Sequence, residues 1–179
     1  VAVKRITEIV QDILLLSEAE ANALQFQPCS TDISKLCSDV IAMVVSSTGT
    51  QRNIELSIRE NAINQAPVID PKLVTYIITN LLDNALKYSN QDSKVEFFVD
   101  YTLNQITFSV KDEGIGISNE DLPHIFDSFY RANNVGNICG TGLGLAIVKQ
   151  CVDLHKGEIS VNSLIGNGTT FTVMLPLSN

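Results

Sequence analysis

Asn80-Leu81-Leu82-Asp83-Asn84-Ala85-Leu86-Lys87-Tyr88-Ser89 is the stretch on which the reading of this chain turns. Asn80 and Asn84 stand four residues apart, so on a helix they share one face, and Asp83 and Lys87 share the face beside it. Ile77, Ile78, Leu81 and Leu82 make an apolar stripe on the other side. Two readings fit this pattern. The carboxamides are either oxygen ligands for a hard cation such as Mg²⁺, which usually keeps water and phosphate as its other ligands, or part of an ordinary solvated face. In the first reading Lys87 reaches a phosphate and Tyr88 lies along a base.

Upstream, Asp70-Pro71 is a strong helix start, a capping acid followed by proline at the first helical position. The helix is expected from there to about Tyr88. An earlier helix is expected over about 34–47 with Asp32 or Thr31 as its cap. Strands are expected at 54–58 and, briefly, at 67–69. Downstream, 94–101 and 105–111 read as a hairpin around Leu103-Asn104. A short helix is expected near 119–125, and a longer one from Gly142 to about Leu154. A second hairpin follows, 157–163 and 169–175, around Gly166-Asn167-Gly168. The sum is an α+β fold: a two-layer sandwich with a mixed, mostly antiparallel sheet and helices on one face.

The glycines lie where a ligand would want close backbone approach. Asp112-Glu113-Gly114-Ile115-Gly116-Ile117 directly follows a strand, and a buried aspartate there is suited to accept a hydrogen bond from an exocyclic amine. The bland alternative is a strand-to-loop turn with a solvated acid. Gly140-Thr141-Gly142-Leu143-Gly144-Leu145-Ala146 leads into a helix, where backbone N–H groups form an anion site. It is no dinucleotide fingerprint, because the residues before it, 131–139, are polar and irregular rather than a strand. It also lacks the Lys-Ser/Thr ending of a P-loop. Between the two glycine runs, Phe126-Asp127-Ser128-Phe129-Tyr130-Arg131 is either a latch with a phosphate-facing guanidinium or a minor apolar cluster under a loop.

Composition bounds the rest. The chain has 179 residues, 45% of them hydrophobic and 18% charged, which suits one folded domain plus an appended element. A net charge of −8 argues against a nucleic-acid surface. The four cysteines, Cys29, Cys37, Cys139 and Cys151, have neither CxxC spacing nor histidines in metal-ligand spacing, so they read as reduced thiols of a cytoplasmic protein. No apolar run approaches the ~20 residues that cross a bilayer. Residues 1–27 carry Val3, Ile6, Val10 and Ile13 in heptad-like spacing, widened by Ile9 and Leu16. That suits a helix of a bundle whose partner lies outside the chain, or one packed on its own domain. Pro28 ends it, which divides the chain into 1–27 and 28–179.

Taken in order, these segments resemble the catalytic domain of sensor histidine kinases, a branch of the Bergerat-fold ATPases. Asn80–Tyr88 is similar to the N box, Asp112-x-Gly114-x-Gly116 to the first glycine box, and Phe126-x-x-Phe129-Tyr130-Arg131 to the F box. Gly140–Gly144 is similar to the second glycine box and Gly168-Thr169-Thr170-Phe171 to the last. The resemblance spans about residues 30 to 177, and 1–27 looks like the second helix of the dimerisation bundle. It implies ATP and Mg²⁺ as ligands. By this resemblance Asn84 binds Mg²⁺ with Asn80 in support, Lys87 and Arg131 face the phosphates, and Tyr88 packs on adenine. Asp112 binds the adenine amino group directly and through a water that Thr169 or Thr170 supports. Gly114, Gly116, Ile117 and Phe129 also line the nucleotide. Gly140, Thr141, Gly142, Leu143, Gly144 and Leu145 line the phosphates, and 118–140 is a lid.

The family's phosphoacceptor is a histidine on the first bundle helix, expected upstream of Val1. Neither His124 nor His155 has its sequence context, so this chain is expected to bind Mg-ATP without phosphorylating itself. A response-regulator receiver domain and a homodimeric parent are the implied partners. Rival readings are an ATP hydrolase or serine kinase on the same fold, or a degenerate binding module. A hydrolase would want a glutamate early in the N box, and residues 71–93 contain none.

Overall fold

The computed structural model describes residues 25–50, 52–60, 66–136, 138 and 140–177, and nearer the N-terminus only residues 10, 13, 14 and 17. The expected helix over 1–27 therefore lies mostly outside the described residues. Val10, Ile13, Leu14 and Ser17 are helical, and the three apolar ones are about half exposed.

Among the described residues from 25 onward, three helices cover a five-stranded sheet. β1 (Cys29–Ser30) is followed by α1 (Ile33–Thr48), β2 (Ile54–Glu60), β3 (Val68–Ile69) and α2 (Pro71–Tyr88). Then come β4 (Val95–Tyr101), β5 (Gln105–Asp112), α3 (Gly144–Leu154), β6 (Glu158–Ser163) and β7 (Thr169–Pro176). Asp32 caps α1 by accepting from the Lys35 N–H at 2.9 Å. Asp70 caps α2 by accepting from the Lys72 and Leu73 N–H groups, with Pro71 needing no acceptor. Both caps fall where the sequence places them.

The sheet order is β2-β4-β5-β7-β6. β4, β5, β7 and β6 pair antiparallel as two hairpins joined through β5 and β7. β2 lies parallel to β4, because the chain between them crosses over through α2 rather than turning back. Each strand alternates: Val95, Phe97, Val99 and Tyr101 of β4, Ile106, Phe108 and Val110 of β5, and Phe171, Val173 and Leu175 of β7 point into the core. Leu73, Val74, Ile77, Ile78, Leu81, Leu82 and Ala85 bury one side of α2, which packs on α1, α3 and β5. This central placement leaves the Asn80/Asn84 side of α2 facing the loops that carry the glycines.

Two expectations shift, and two short elements are added. The helix expected near 119–125 is a single 3-10 turn, Leu122–His124, because Pro123 has no N–H with which to continue an α-helix. A second such turn spans Asn133–Val135. α3 begins at Gly144 rather than Gly142, since Gly142 has φ +72, outside the right-handed helical region. β1 pairs with β3, Cys29 opposite Ile69, a bridge too short to show periodicity in the sequence.

Candidate functional site

The glycines mark where segments distant in sequence press together. A Cβ added to Gly144 would lie 2.8 Å from Nδ2 and 2.9 Å from Cγ of Asn80, and nearer still to Oδ1. The N-terminus of α3 thus rests on the first asparagine of α2. A Cβ on Gly114 would meet the Tyr88 carbonyl group and lie 2.7 Å from Asp112 Oδ1. The Ile115 N–H donates to the Tyr88 carbonyl at 3.1 Å, tying the end of α2 to the first glycine turn. The Tyr88 hydroxyl lies 3.5 Å from where a Cβ of Gly140 would be. Asn84 is half-buried one turn after Asn80, and Lys87 is exposed in the last turn. Asn80 and Tyr88 therefore bring α2 against both glycine turns.

Asp112 closes one end of this cleft. Its side chain is buried, and Oδ1 accepts from the Gly114 N–H at 2.7 Å. Burial pushes its carboxyl above the usual aspartate range, opposed by the N–H groups of Gly114 and Thr169 and by the Arg52 charge. Thr169 shares the buried face of β7 with Phe171, whereas Thr170 points to the other face with Thr172. Of the two threonines left open by the sequence, Thr169 is the one beside Asp112. Its hydroxyl lies 2.9 Å from that of Ser163. Ser163 donates to the Gly168 carbonyl and accepts from the Ile117 N–H at 2.8 Å. One hydroxyl thus joins the first glycine turn to the last.

The opposite end is the second glycine turn and the lid. The Phe129 N–H donates to the Gly142 carbonyl at 2.9 Å, while the Phe129 ring is exposed and its φ is +65. Tyr130 donates to Asp121 at 2.7 Å. Arg131 is exposed, bonds the Ile138 carbonyl, and its charge acts on the Tyr88 phenol, which burial otherwise pushes above its ordinary pKa. The Leu143 N–H donates to Thr141 Oγ1 at 3.2 Å and its side chain is buried in the core, so Leu143 has only backbone to offer the site, while Leu145 is half-buried against the core. Unlike α1 and α2, α3 has no side-chain cap, and like them it has no acid in its first turn, so no cap or first-turn acid of its own competes with an anion for its first N–H groups.

Three contributors carry no motif signal. Arg52 donates to the carbonyls of Leu86 and Ser93 and to Ser89 Oγ, holding the C-terminal end of α2 in place. Ser163 and Asp121 act only through partners that folding brings near. The histidines have other tasks. His155 is buried, with Nδ1 donating to the Cys151 carbonyl at 2.8 Å and Nε2 accepting from the Asp70 N–H at 3.2 Å, and burial holds it neutral. His124 is exposed, 3.0 Å from Asp127. Burial pushes the Cys37 and Cys151 thiols up to about 12, and Cys29 is a third free thiol. Cys139 lies outside the described residues. Among the described residues, no helix is long and apolar enough to cross a membrane.

The uncapped, glycine-rich start of α3 thus rests against Asn80 of α2, and Asp112 lies by the first glycine turn; the family whose model this chain matches is that of the histidine kinase-, DNA gyrase B- and HSP90-like ATPases. The chain belongs to that family, whose signature covers residues 69–179. It is 36% identical over 178 residues to the sensor histidine kinase WalK of Bacillus subtilis strain 168, covering 97% of this chain and 29% of that protein. It is 34% identical to the sensor protein kinase WalK of Staphylococcus saprophyticus, covering 97% of this chain and 28% of that one. The chain therefore spans less than a third of the length of these curated relatives. Its fold matches that of full-length ShkA in complex with AMPPNP, with a TM-score of 0.84 at 22% identity, covering 98% of this chain and 36% of that one. It also matches the histidine kinase AdeS of Acinetobacter baumannii, with a TM-score of 0.74 at 23% identity, covering 99% of this chain and 81% of that one. The resemblance read from the five motifs and the α+β sandwich expected from it both hold.

Proposed function

We propose that this chain is the ATP-binding catalytic part of a sensor histidine kinase. It would transfer the γ-phosphate of ATP to a histidine on an upstream bundle helix, for relay to an aspartate of a response-regulator receiver domain. The observation that carries this reading is the contact of Asn80 with Gly144, which sets the asparagine helix against an uncapped, glycine-rich helix start. In this reading adenine lies at Asp112, whose carboxylate accepts from its amino group, with Thr169 supporting a bridging water and Tyr88 packing on the base. The triphosphate runs toward residues 140–145 at the start of α3, where open N–H groups receive it. Lys87 and Arg131 offset its charge.

The donor set fits Mg²⁺. Asn84, supported by Asn80, offers a hard neutral oxygen, and such an ion takes its remaining ligands from water and phosphate. When bound, it neutralises charge on the phosphates. The residues of this chain contribute positioning and electrostatics, as phosphoryl transfer requires. The imidazole nitrogen forms a bond to the γ-phosphorus while the bond to the ADP oxygen breaks. Neither histidine has the sequence context of the acceptor, and both nitrogens of the buried His155 are occupied. The bundle expected through residues 1–27 would make the parent a homodimer. The need for ATP and a receiver domain, together with free thiols among the described residues, supports a cytoplasmic location for this part.

The test is a calorimetric titration of a non-hydrolysable ATP analogue with and without Mg²⁺, followed by supply of a histidine-bearing bundle in trans. Saturable, Mg²⁺-dependent, one-to-one binding and phosphohistidine on the supplied bundle are expected. No binding at millimolar nucleotide would refute the reading.

A further inference from the structure

Asp121 is 1% exposed, although it lies in the lid, and nothing in the nucleotide chemistry above uses it. Both carboxylate oxygens are occupied by donors from the lid itself. Oδ1 accepts from the Tyr130 hydroxyl at 2.7 Å and from Asn133 Nδ2 at 3.0 Å. Oδ2 accepts from the Ser118 hydroxyl at 2.8 Å and from the Asn133 N–H at 3.3 Å. These donors come from both sides of the Phe126–Arg131 segment, so one buried charge gathers the entrance, middle and far part of the lid. The next residue along, Asn134, donates to the Gly116 carbonyl at 2.8 Å and anchors that knot to the first glycine turn.

Tyr130 stands between two residues with contacts of their own. Phe129 is bonded through its N–H to Gly142, and Arg131 lies close enough to Tyr88 for its charge to act on the phenol. Arg131 follows Tyr130 directly and its guanidinium donates to the Ile138 carbonyl, so what fastens Tyr130 holds the backbone from which the Arg131 side chain extends. Charge-assisted hydrogen bonds of this kind are short and directional, and the donors holding Asp121 keep its carboxyl below the usual aspartate range.

We propose that Asp121 is a positioning residue for phosphoryl transfer: by fastening Tyr130 and Asn133 it sets the lid so that Arg131 meets the phosphate end of the nucleotide. The proposal rests on the site reading given above. It requires Asp121 to act on the phosphates and not on the base, which a residue serving only to hold the domain together would not do.

Asp121→Asn keeps the size of the side chain, but whichever oxygen becomes an amide NH₂ then faces a donor of Asn133. The domain, this variant, Arg131→Ala and the double variant are titrated with a Mg²⁺-bound non-hydrolysable ATP analogue and with adenosine. Affinity for the analogue is expected to fall about tenfold in Asp121→Asn, with adenosine unchanged, and the double variant is expected to bind no more weakly than Arg131→Ala. Tyr130→Phe is expected to show a smaller loss confined to the analogue, and carries the same comparison if Asp121→Asn does not fold. Unchanged analogue affinity, an equal loss for adenosine, or additive losses in the double variant would overturn the proposal while leaving the site intact. A wild-type domain that binds neither probe, or binding indifferent to Asp112→Asn, would overturn the site reading and the latch with it.

Discussion

Gly144→Ala separates the two reasons a glycine can stand at the start of α3. Judged by helix propensity alone, alanine is the better residue, favoured by about 1 kcal/mol in a helix interior. Judged by the structure, the new Cβ arrives 2.9 Å from Asn80 Cγ and 2.8 Å from Nδ2. Carbon atoms in good contact sit ~3.5–4.0 Å apart, so the Asn80 carboxamide or the start of α3 must withdraw by about 0.6–1.1 Å. The atoms that clash belong to the end of the half-buried Asn80 side chain and not to backbone, so the expected loss of global stability is small, within about 1 kcal/mol. Function is less forgiving, because a misplacement of ~1 Å at a positioned group can lower a rate by about a hundredfold. The prediction is a thermal midpoint within a few degrees of wild type, with affinity for the Mg²⁺-bound ATP analogue at least tenfold weaker. Calorimetry of the same preparation reads the binding, and a melt followed by circular dichroism reads the stability. Adding Asn80→Ala to Gly144→Ala removes the clash, and should restore any lost stability without restoring affinity. Wild-type affinity in Gly144→Ala would refute the argument that this contact builds the site.

Asp112→Asn should lose adenine-dependent binding without losing stability. A carboxyl held above its usual pKa by burial is more costly to ionise folded than unfolded, so its charge disfavours folding at pH 7 and the penalty vanishes below its unfolded pKa. Removing the charge should leave the melting temperature at pH 7 equal or higher, and a clear fall would contradict this. Gly168→Ala should destabilise the domain by roughly 1–3 kcal/mol in urea unfolding. Its φ is +87, and a Cβ there would lie 2.8 Å from both the Asp112 carbonyl carbon and Glu113 Cα, backbone atoms that cannot turn aside. His155→Gln should flatten the acid limb of stability. The folded pKa of His155 is depressed, so its neutral form contributes fully above the ordinary value of 6.5 and is progressively lost as pH falls below it. Melts from pH 7.5 to 5 should show a shallower decline in the variant, and an unchanged slope would rule His155 out.

The amino-acid sequence by itself determined the elements and the family. Caps at Asp32 and Asp70 act within three residues of themselves, and the period-two and period-3.6 patterns of β4, β5, β7 and α2 are local consequences of which face is buried. The five motifs were legible for the same reason, since glycine, asparagine and aspartate at fixed spacings advertise close approach and ligation. Where local chemistry ran out, expectation slipped: Pro123 cut a helix to one 3-10 turn, and Gly142 delayed α3 by two residues. Only the tertiary structure decided which distant groups meet. It turned Thr169 and not Thr170 toward the buried face beside Asp112, set β2 parallel to β4 by the α2 crossover, and brought Asn80 under Gly144. It recruited Arg52, Ser163 and Asp121, whose side chains have meaning only through partners that packing supplies. A hydrogen bond depends on distance in space and burial on what surrounds a group, and neither quantity is written in the order of residues along the chain.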